Sequence, residues 1–423
     1  MGSSGEGPLQ WVAGAFYQQA DRKYGQTLPT PGYDALIGAP SSLFGAPPDT
    51  PFYSRMSYDF SQFGVFGEAT YRFNTRWALT GGLRYYDFQE DRLLTFAGVF
   101  ADPAIFLDEP GSTSSDGVSP RVIVAYNLSP EVQFTAQVAR GFRLGGINDP
   151  LNEGLCTADD LATYGGHPTW DDEKVLNYEI GAKTRSARGH VTFNASVFLS
   201  EIDGLQAVAD AGSCSSRIIL NAQAQSQGAE MELFVHPDEH WDFGLSATYA
   251  NTEITESQTI VGSGDIIAGI RDGNRLPTSP EIQAAGTVTY NFPFGSSLES
   301  YLRLTVQYVG DSYTQLADQE PNFGILTNTL PTTARPAGAA DLINMGGIPP
   351  DTTVEFDPNL PSYAIGNLRW GFGTDTWEAA LFVNNVWDER AFLSLDRERG
   401  RRARVGYLTN PPRTYGVNFH MNF

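Results

Sequence analysis

The sequence is short of the features on which most enzymes and helical membrane proteins depend. Apolar residues make up 41% of its 423 residues, yet no run approaches the roughly 20 needed for a membrane-spanning helix, so a helical membrane protein is excluded. Two cysteines rule out a disulfide framework. Cys156 and Cys214 are left either as one loop-to-loop bridge in an oxidising compartment or as two loop thiols. Cations are scarce: 27 Lys and Arg stand against 49 Asp and Glu, giving a net charge of −22, which speaks against a nucleic-acid partner. The opening MGSSGEGPLQ has neither a basic start nor an apolar stretch, so no secretory signal is visible. There is no Gly-x-Ser-x-Gly elbow and no phosphate loop. His236-Pro-Asp-Glu-His240 lacks the HExxH zinc spacing and carries a helix-breaking proline. Five scattered histidines and two distant cysteines make no metal cluster. No catalytic residue, resident metal or cofactor is therefore expected, and the protein does not read as an enzyme.

What is present is alternation. Tyr415, Val417, Phe419, Met421 and Phe423 fall on one side of a two-residue repeat, and Thr414, Gly416, Asn418, His420 and Asn422 on the other. Leu302, Leu304, Val306 and Tyr308 alternate with Arg303, Thr305 and Gln307. Charges on the second face are costly in a dry core but tolerable in a wet lumen. The pattern opens with a strand near 9–20 and a hairpin of 62–73 with 77–85. Paired strands follow at 118–128 and 131–143, 176–186 and 189–206, 217–235 and 241–253, 280–291 and 298–311, and 362–372 and 376–387, before the terminal strand. That makes about 14 strands, most near the 9–11 residues of a tilted membrane strand. Long connections, such as 91–117, 144–175 and 312–360, alternate with short ones. The reading is all-β: an antiparallel up-and-down transmembrane barrel in the bacterial outer membrane, with long extracellular loops and short periplasmic turns. Residues 1–8 are expected to be a disordered segment and 9–423 the barrel. Trp11, Trp77, Trp241, Trp377 and Trp387 lie at or near strand ends, where an aromatic girdle belongs.

Several segments then resemble one family. Ala139 to Asn148 (ARGFRLGGIN) resembles a strand-to-loop segment of TonB-dependent outer-membrane receptors. Asn177 to Thr184 with Ile202-Asp203-Gly204-Leu205-Gln206 resembles a hairpin common there. Asn274-Arg275-Leu276-Pro277, Asn384 to Arg390 (NNVWDER) and Pro411 to Gly416 resemble further pieces, in the family's order. The resemblance implies uptake of scarce nutrients such as ferric siderophores. That family has a plug inside a barrel of roughly 22 strands and a short TonB-contacting box. There is no room for a plug ahead of Leu9, so the resemblance is expected to cover the C-terminal part of the barrel, with TonB engaged only if a plug is supplied. A plugless, porin-like diffusion pore and a receptor fragment without function of its own are the alternatives.

Guanidinium groups bind carboxylate and phosphate bidentately. Arg397, Arg399, Arg401, Arg402 and Arg404 in the last long loop are candidates for an anionic ligand or lipopolysaccharide phosphates, or form a solvated loop balanced by Asp396 and Glu398. Arg140 and Arg143 are read either as ligand contacts or as strand-end lumen charges. Asp171, Asp172 and Glu173 are read as a solvated acidic loop, with contact to a cation as the other option. The resemblance gives Tyr415, Phe419 and Phe423 the role of an assembly signal on the terminal strand. The expected partners are outer-membrane lipid and lipopolysaccharide, the barrel-assembly machinery and a small ligand such as an iron chelate.

Overall fold

The computed structural model describes residues 2, 7–186, 188–214, 216–260, 262–295, 297–327, 352–397 and 405–421. Fourteen antiparallel strands form one sheet in which each strand pairs with its neighbours in sequence. They are β1 (Leu9–Thr27), β2 (Tyr53–Arg72), β3 (Trp77–Ala97), β4 (Phe106–Ser129), β5 (Val132–Arg143), β6 (Glu173–Arg185) and β7 (Val191–Asp210). The wall continues with β8 (Arg217–Val235), β9 (Trp241–Ile254), β10 (Ile282–Phe294), β11 (Leu298–Val309), β12 (Tyr363–Thr374), β13 (Trp377–Asn384) and β14 (Thr414–Met421). Among the described residues β1 pairs with β2 alone and β14 with β13 alone, so these two strands are the edges of the sheet. Two short helices lie in the long connections, α1 (Tyr33–Ile37) and α2 (Ala158–Tyr164); the alternation pattern carries no signal for either.

The apolar face points outward. On β14, Tyr415 is 82% exposed, Val417 70% and Phe419 64%. On β11, Leu302, Leu304 and Tyr308 are likewise exposed, whereas Thr305 turns inward and shares a hydrogen bond with Thr287 across the strand pair. Aromatic pairs ring the short-turn end: Trp77 with Tyr126, Trp241 with Tyr290, and Trp377 with Phe419. An indole or phenol suits a boundary where one side is apolar and the other wet. Trp387 differs. It follows β13 at the other rim, lies on Gly366 and donates Nε1–H to the Ala364 carbonyl at 2.7 Å.

The expected long loop 91–117 is corrected. β3 runs on to Ala97 and β4 starts at Phe106, leaving only 98–105 as the connection. β1 and β2 are lengthened in the same way, to Thr27 and from Tyr53. The cause is a change of environment along one strand. Above the lipid the outward side no longer needs to be apolar, and Asp21, Asp59 and Asp91 stand in cross-strand register there. Hydrophobic alternation therefore fades, while the ladder hydrogen bonds continue. Met56, Tyr58, Leu94 and Phe96 form a small buried cluster at this tip with Ala101.

Candidate ligand vestibule at the outer rim

Long loops meet on the inner side of the extended β7–β8 hairpin. Ala207, Ala209, Ile218, Leu220 and Ala222 of the hairpin are buried against Ile254, at the end of β9, and against Leu151, Ile270 and Leu316 from three different connections. Cys156 and Cys214 are joined by a disulfide with their Cα atoms 4.2 Å apart, tying the 144–172 loop to the hairpin tip. Beside it, Thr157 caps α2 by accepting from the Asp160 amide. The Asp160 carboxylate in turn accepts from the Ser213 amide at 2.9 Å and from the Ser213 hydroxyl.

Residues of two of the family-like segments, 139–148 and 202–206, come together here. Arg143, last in β5, pairs across the ladder with Glu173, first in β6, through an ion pair of 2.5 Å. Glu173 also accepts from the Gln206 amide at 2.9 Å, and the Gln206 side chain donates to the Leu144 carbonyl at 2.7 Å. The β7–β8 register slips at Ala222/Gln223, leaving Gly204 as the extra residue of a bulge. Its φ of +70° and a would-be Cβ only 2.8 Å from the Asp172 carbonyl oxygen both require glycine. Asn221 then grips both sides of the contact. Its side-chain N–H groups donate to the carbonyls of Gly204 (2.8 Å) and Asp171 (3.0 Å), and its oxygen accepts from the Asp171 amide (2.7 Å).

Asp172 is the centre of this latch. It is buried, and its carboxylate accepts from the Tyr86 hydroxyl (2.8 Å), the Gly145 amide (2.8 Å) and the Ser115 hydroxyl. Tyr86 stacks on Phe142, and Arg84 lies between Phe142 and Phe16 at about 5 Å from each ring. Asn148 repeats the device further along the loop: its amide bonds the Ile219 carbonyl and N–H as a strand would, and the His167 carbonyl as well. At Gly146 an added Cβ would strike the Trp170 ring at 2.3 Å, so the glycine pair 145–146 lets the chain pass beneath that indole.

Trp170 separates two cavities. The larger, about 610 Å3, is lined by Phe88, Thr113 to Asp116, Lys174, Asp203 and Glu256 among others. The smaller, about 440 Å3, is lined by Tyr24, Tyr58, Glu90, Asp149 and Arg217 among others. Both include Gly145 and Trp170 in their walls. These are volumes suited to a compact small-molecule ligand.

The arginines chosen from the sequence separate into three cases. Arg143 is committed to Glu173 in the latch. Arg140 is exposed on β5, near enough to act electrostatically on Tyr86. Of the last-loop set, the backbone of Arg397 pairs with Val405 in a short ladder, and Arg399, Arg401, Arg402 and Arg404 lie outside the described residues, as does Phe423. Asp172 and Glu173 are latch acceptors rather than part of a solvated acidic loop. Tyr86, Asn221 and Trp170 escaped the sequence reading, and Gln206 was named only within a family-like segment; the isolated glycine inside the 202–206 strand pattern was the available sign of a bulge.

A second contact joins two other loops. Arg271 makes a 2.5 Å ion pair with Glu320, which also accepts from Asn274 at 2.9 Å. The Arg271 guanidinium holds the Glu320 carboxyl below its ordinary value against the opposing effect of burial, and the Asn274 amide adds to the lowering. A carboxylate depressed in the folded state stabilises above its unfolded value, and that contribution is lost as pH falls through the folded value. Hydrogen exchange in 267–276, corrected for intrinsic rate, is therefore expected to stay constant above pH 4.5 and to accelerate below it. Glu320→Gln should remove the pH step; a step that survives in this variant would assign it elsewhere.

Residues 2–386 match the family model for the TonB dependent receptor-like beta-barrel. The chain belongs to this family. Among solved structures, this TonB-dependent-receptor barrel is similar to the ferric yersiniabactin uptake receptor FyuA from Yersinia pestis, with a TM-score of 0.70 and 18% identity over 100% of this chain and 52% of that one. It is similar to the siderophore receptor PiuA from Acinetobacter baumannii at a TM-score of 0.62 and 16% identity, covering 98% and 53% of the two chains. The copper transporter OprC gives 0.61 and 14%, covering 98% and 55%. The chain thus spans about half the length of each of these structures. Membership places the barrel in the outer membrane, in a family of receptors rather than of enzymes.

Proposed function

We propose that this barrel captures a scarce nutrient, such as a ferric siderophore, at its outer rim for uptake into the cell. The observation that carries the reading is the pair of cavities on either side of Trp170, inside a wall held by the Asp172 latch and the disulfide. A site whose walls are already ordered spends little of its binding energy on ordering itself. The named similarity to siderophore receptors supports the iron chelate as ligand class. Lipid and lipopolysaccharide surround the apolar face in this reading, and the assembly machinery reads Tyr415, Phe419 and Phe423.

The test is equilibrium binding of a panel of ferric chelates to the folded chain in detergent, followed by tryptophan fluorescence. At least one chelate is expected to bind with a Kd of about 1 μM or tighter. Trp170→Ala should weaken it roughly tenfold or more by removing a half-buried aromatic wall, whereas Trp387→Ala leaves it unchanged. Equal affinity in both variants would move the site away from Trp170, and silence across the panel would end the iron-chelate reading.

A further inference from the structure

Resting on the capture reading above and deepening it, we infer that Tyr24, Tyr58 and Asp149 form a ferric-ion site in the wall of the smaller cavity, so that the chelate received there is one whose own donors leave positions on the iron open. The three residues reach this cavity from β1, β2 and the 144–172 loop. The Tyr24 and Tyr58 hydroxyl oxygens lie 3.3 Å apart, and each lies 3.3 Å from Oδ1 of Asp149. Oxygens held about 2.0–2.1 Å from a small hard cation stand about 2.9 Å apart in an octahedron. A contraction of about 0.4 Å therefore turns this triangle into one face of such a shell. Stacking of the two phenol rings, with centroids 5.8 Å apart and planes 8° apart, keeps their oxygens side by side.

Two observations argue against a self-contained hydrogen-bond network. All three separations exceed the roughly 2.5–3.0 Å of a good O–H···O bond, as does the 3.1 Å from Tyr24 to Oδ2 of Asp149, so the groups share a space without satisfying one another. Arg92 lies beside them with its side chain only 10% exposed, Nη1 3.9 Å from Asp149 and Nε without an acceptor among the described residues. A buried N–H of this kind calls for an oxygen, which a carboxylate of the iron's other ligand can supply. The donor set then selects the metal. Phenolate and carboxylate are hard oxygen ligands, and neither thiol nor imidazole lines this cavity. Two phenolates and Asp149 bring three negative charges to a trivalent ion, while Arg22 and Arg217 are already paired with Glu90 and Asp210. Burial foremost, with the Asp149 charge acting the same way, pushes both phenols above the usual phenol range. Iron reverses this, as a metal does for a bound thiol: each O–H passes its proton to water as its Fe–O bond forms.

The experiment adds ferric nitrilotriacetate, which leaves positions on the iron to water, to the full chain in detergent micelles and follows the visible spectrum. A phenolate-to-iron charge-transfer band is expected, saturating at an equimolar ratio and carrying tyrosinate modes in resonance Raman. Tyr24→Phe and Tyr58→Phe, which keep the stacked rings, should each weaken iron binding about tenfold or more. The double variant should lose the band with its strand circular dichroism unchanged, whereas Tyr308→Phe on the lipid face should keep it. A ferric trihydroxamate, already fully coordinated, should retain its own spectrum. No band, or a band that survives in the double variant, overturns the inference, and the capture reading then stands if other ferric chelates still bind. The same band from the trihydroxamate overturns the requirement for open positions. A band that needs both tyrosines, in a chain that binds no siderophore-type chelate, upholds the metal site and removes the siderophore from the capture reading.

Discussion

Replacing Asp172 by alanine is expected to release the 144–172 loop while leaving the barrel standing. The substitution strips three donors, the Tyr86 and Ser115 hydroxyls and the Gly145 amide, of their shared acceptor in a buried place. An unsatisfied buried donor costs about 1–3 kcal/mol, so a local loss of roughly 3 kcal/mol or more follows. In hydrogen exchange this appears as an acceleration of about 100-fold or more in 144–172. Amides of β10 to β12 on the far wall should keep their rates. Asp172→Asn retains one acceptor oxygen and should fall between wild type and alanine. The disulfide at Cys156 still tethers the loop in both variants, so the loop loosens without detaching. Unchanged exchange in the alanine variant would show that the latch is incidental and that the apolar cluster alone holds the loop.

The second large effect is a contrast between adjacent residues. Leu304, near the middle of β11, faces outward and is 41% exposed, whereas Thr305 faces inward beside Thr287. Leu304→Arg should cost about 2–4 kcal/mol when the barrel is unfolded from lipid bilayers, the penalty for an arginine on the lipid face near the bilayer midplane. Thr305→Arg places the same guanidinium in the lumen and should cost about 1 kcal/mol or less, chiefly for the lost Thr287 partner. Similar costs for the two would mean that both faces of β11 see the same medium, and the assignment of an outer lipid face would fall.

The contrast between these strands and the rim shows what a sequence carries openly. β11 and β14 announce themselves because lipid on one side and water on the other force strict alternation, and their bounds lie within two residues of the reading from Leu298 and Arg413. In the upper half of β3 the buried apolar side chains are the inward ones, Tyr86, Phe88, Leu94 and Phe96, while Asp87, Gln89 and Asp91 face out, so the outward apolar face that marks a membrane strand is lost there. The family-like segments were visible as words but not as parts. Their use became physical only when the chain brought Arg143, Gly145 and Gln206 within hydrogen-bond reach of loop 170–173, across 33 positions in the case of Gln206 and Glu173. Asp172 looked like one acid in an acidic loop because its donors, Tyr86 and Ser115, sit on distant strands.

The lengthened β3 and β4 set the depth of the site at which capture is proposed. Asp91 marks where the outer surface turns polar, and the strand continues six residues beyond it to Ala97. At about 3.4 Å per residue the strand runs on for roughly 20 Å past that line. The larger cavity, bounded by Phe88 and Thr113, opens at the foot of this parapet. A solute resting there would lie below the water-facing top of the wall without having crossed any hydrocarbon.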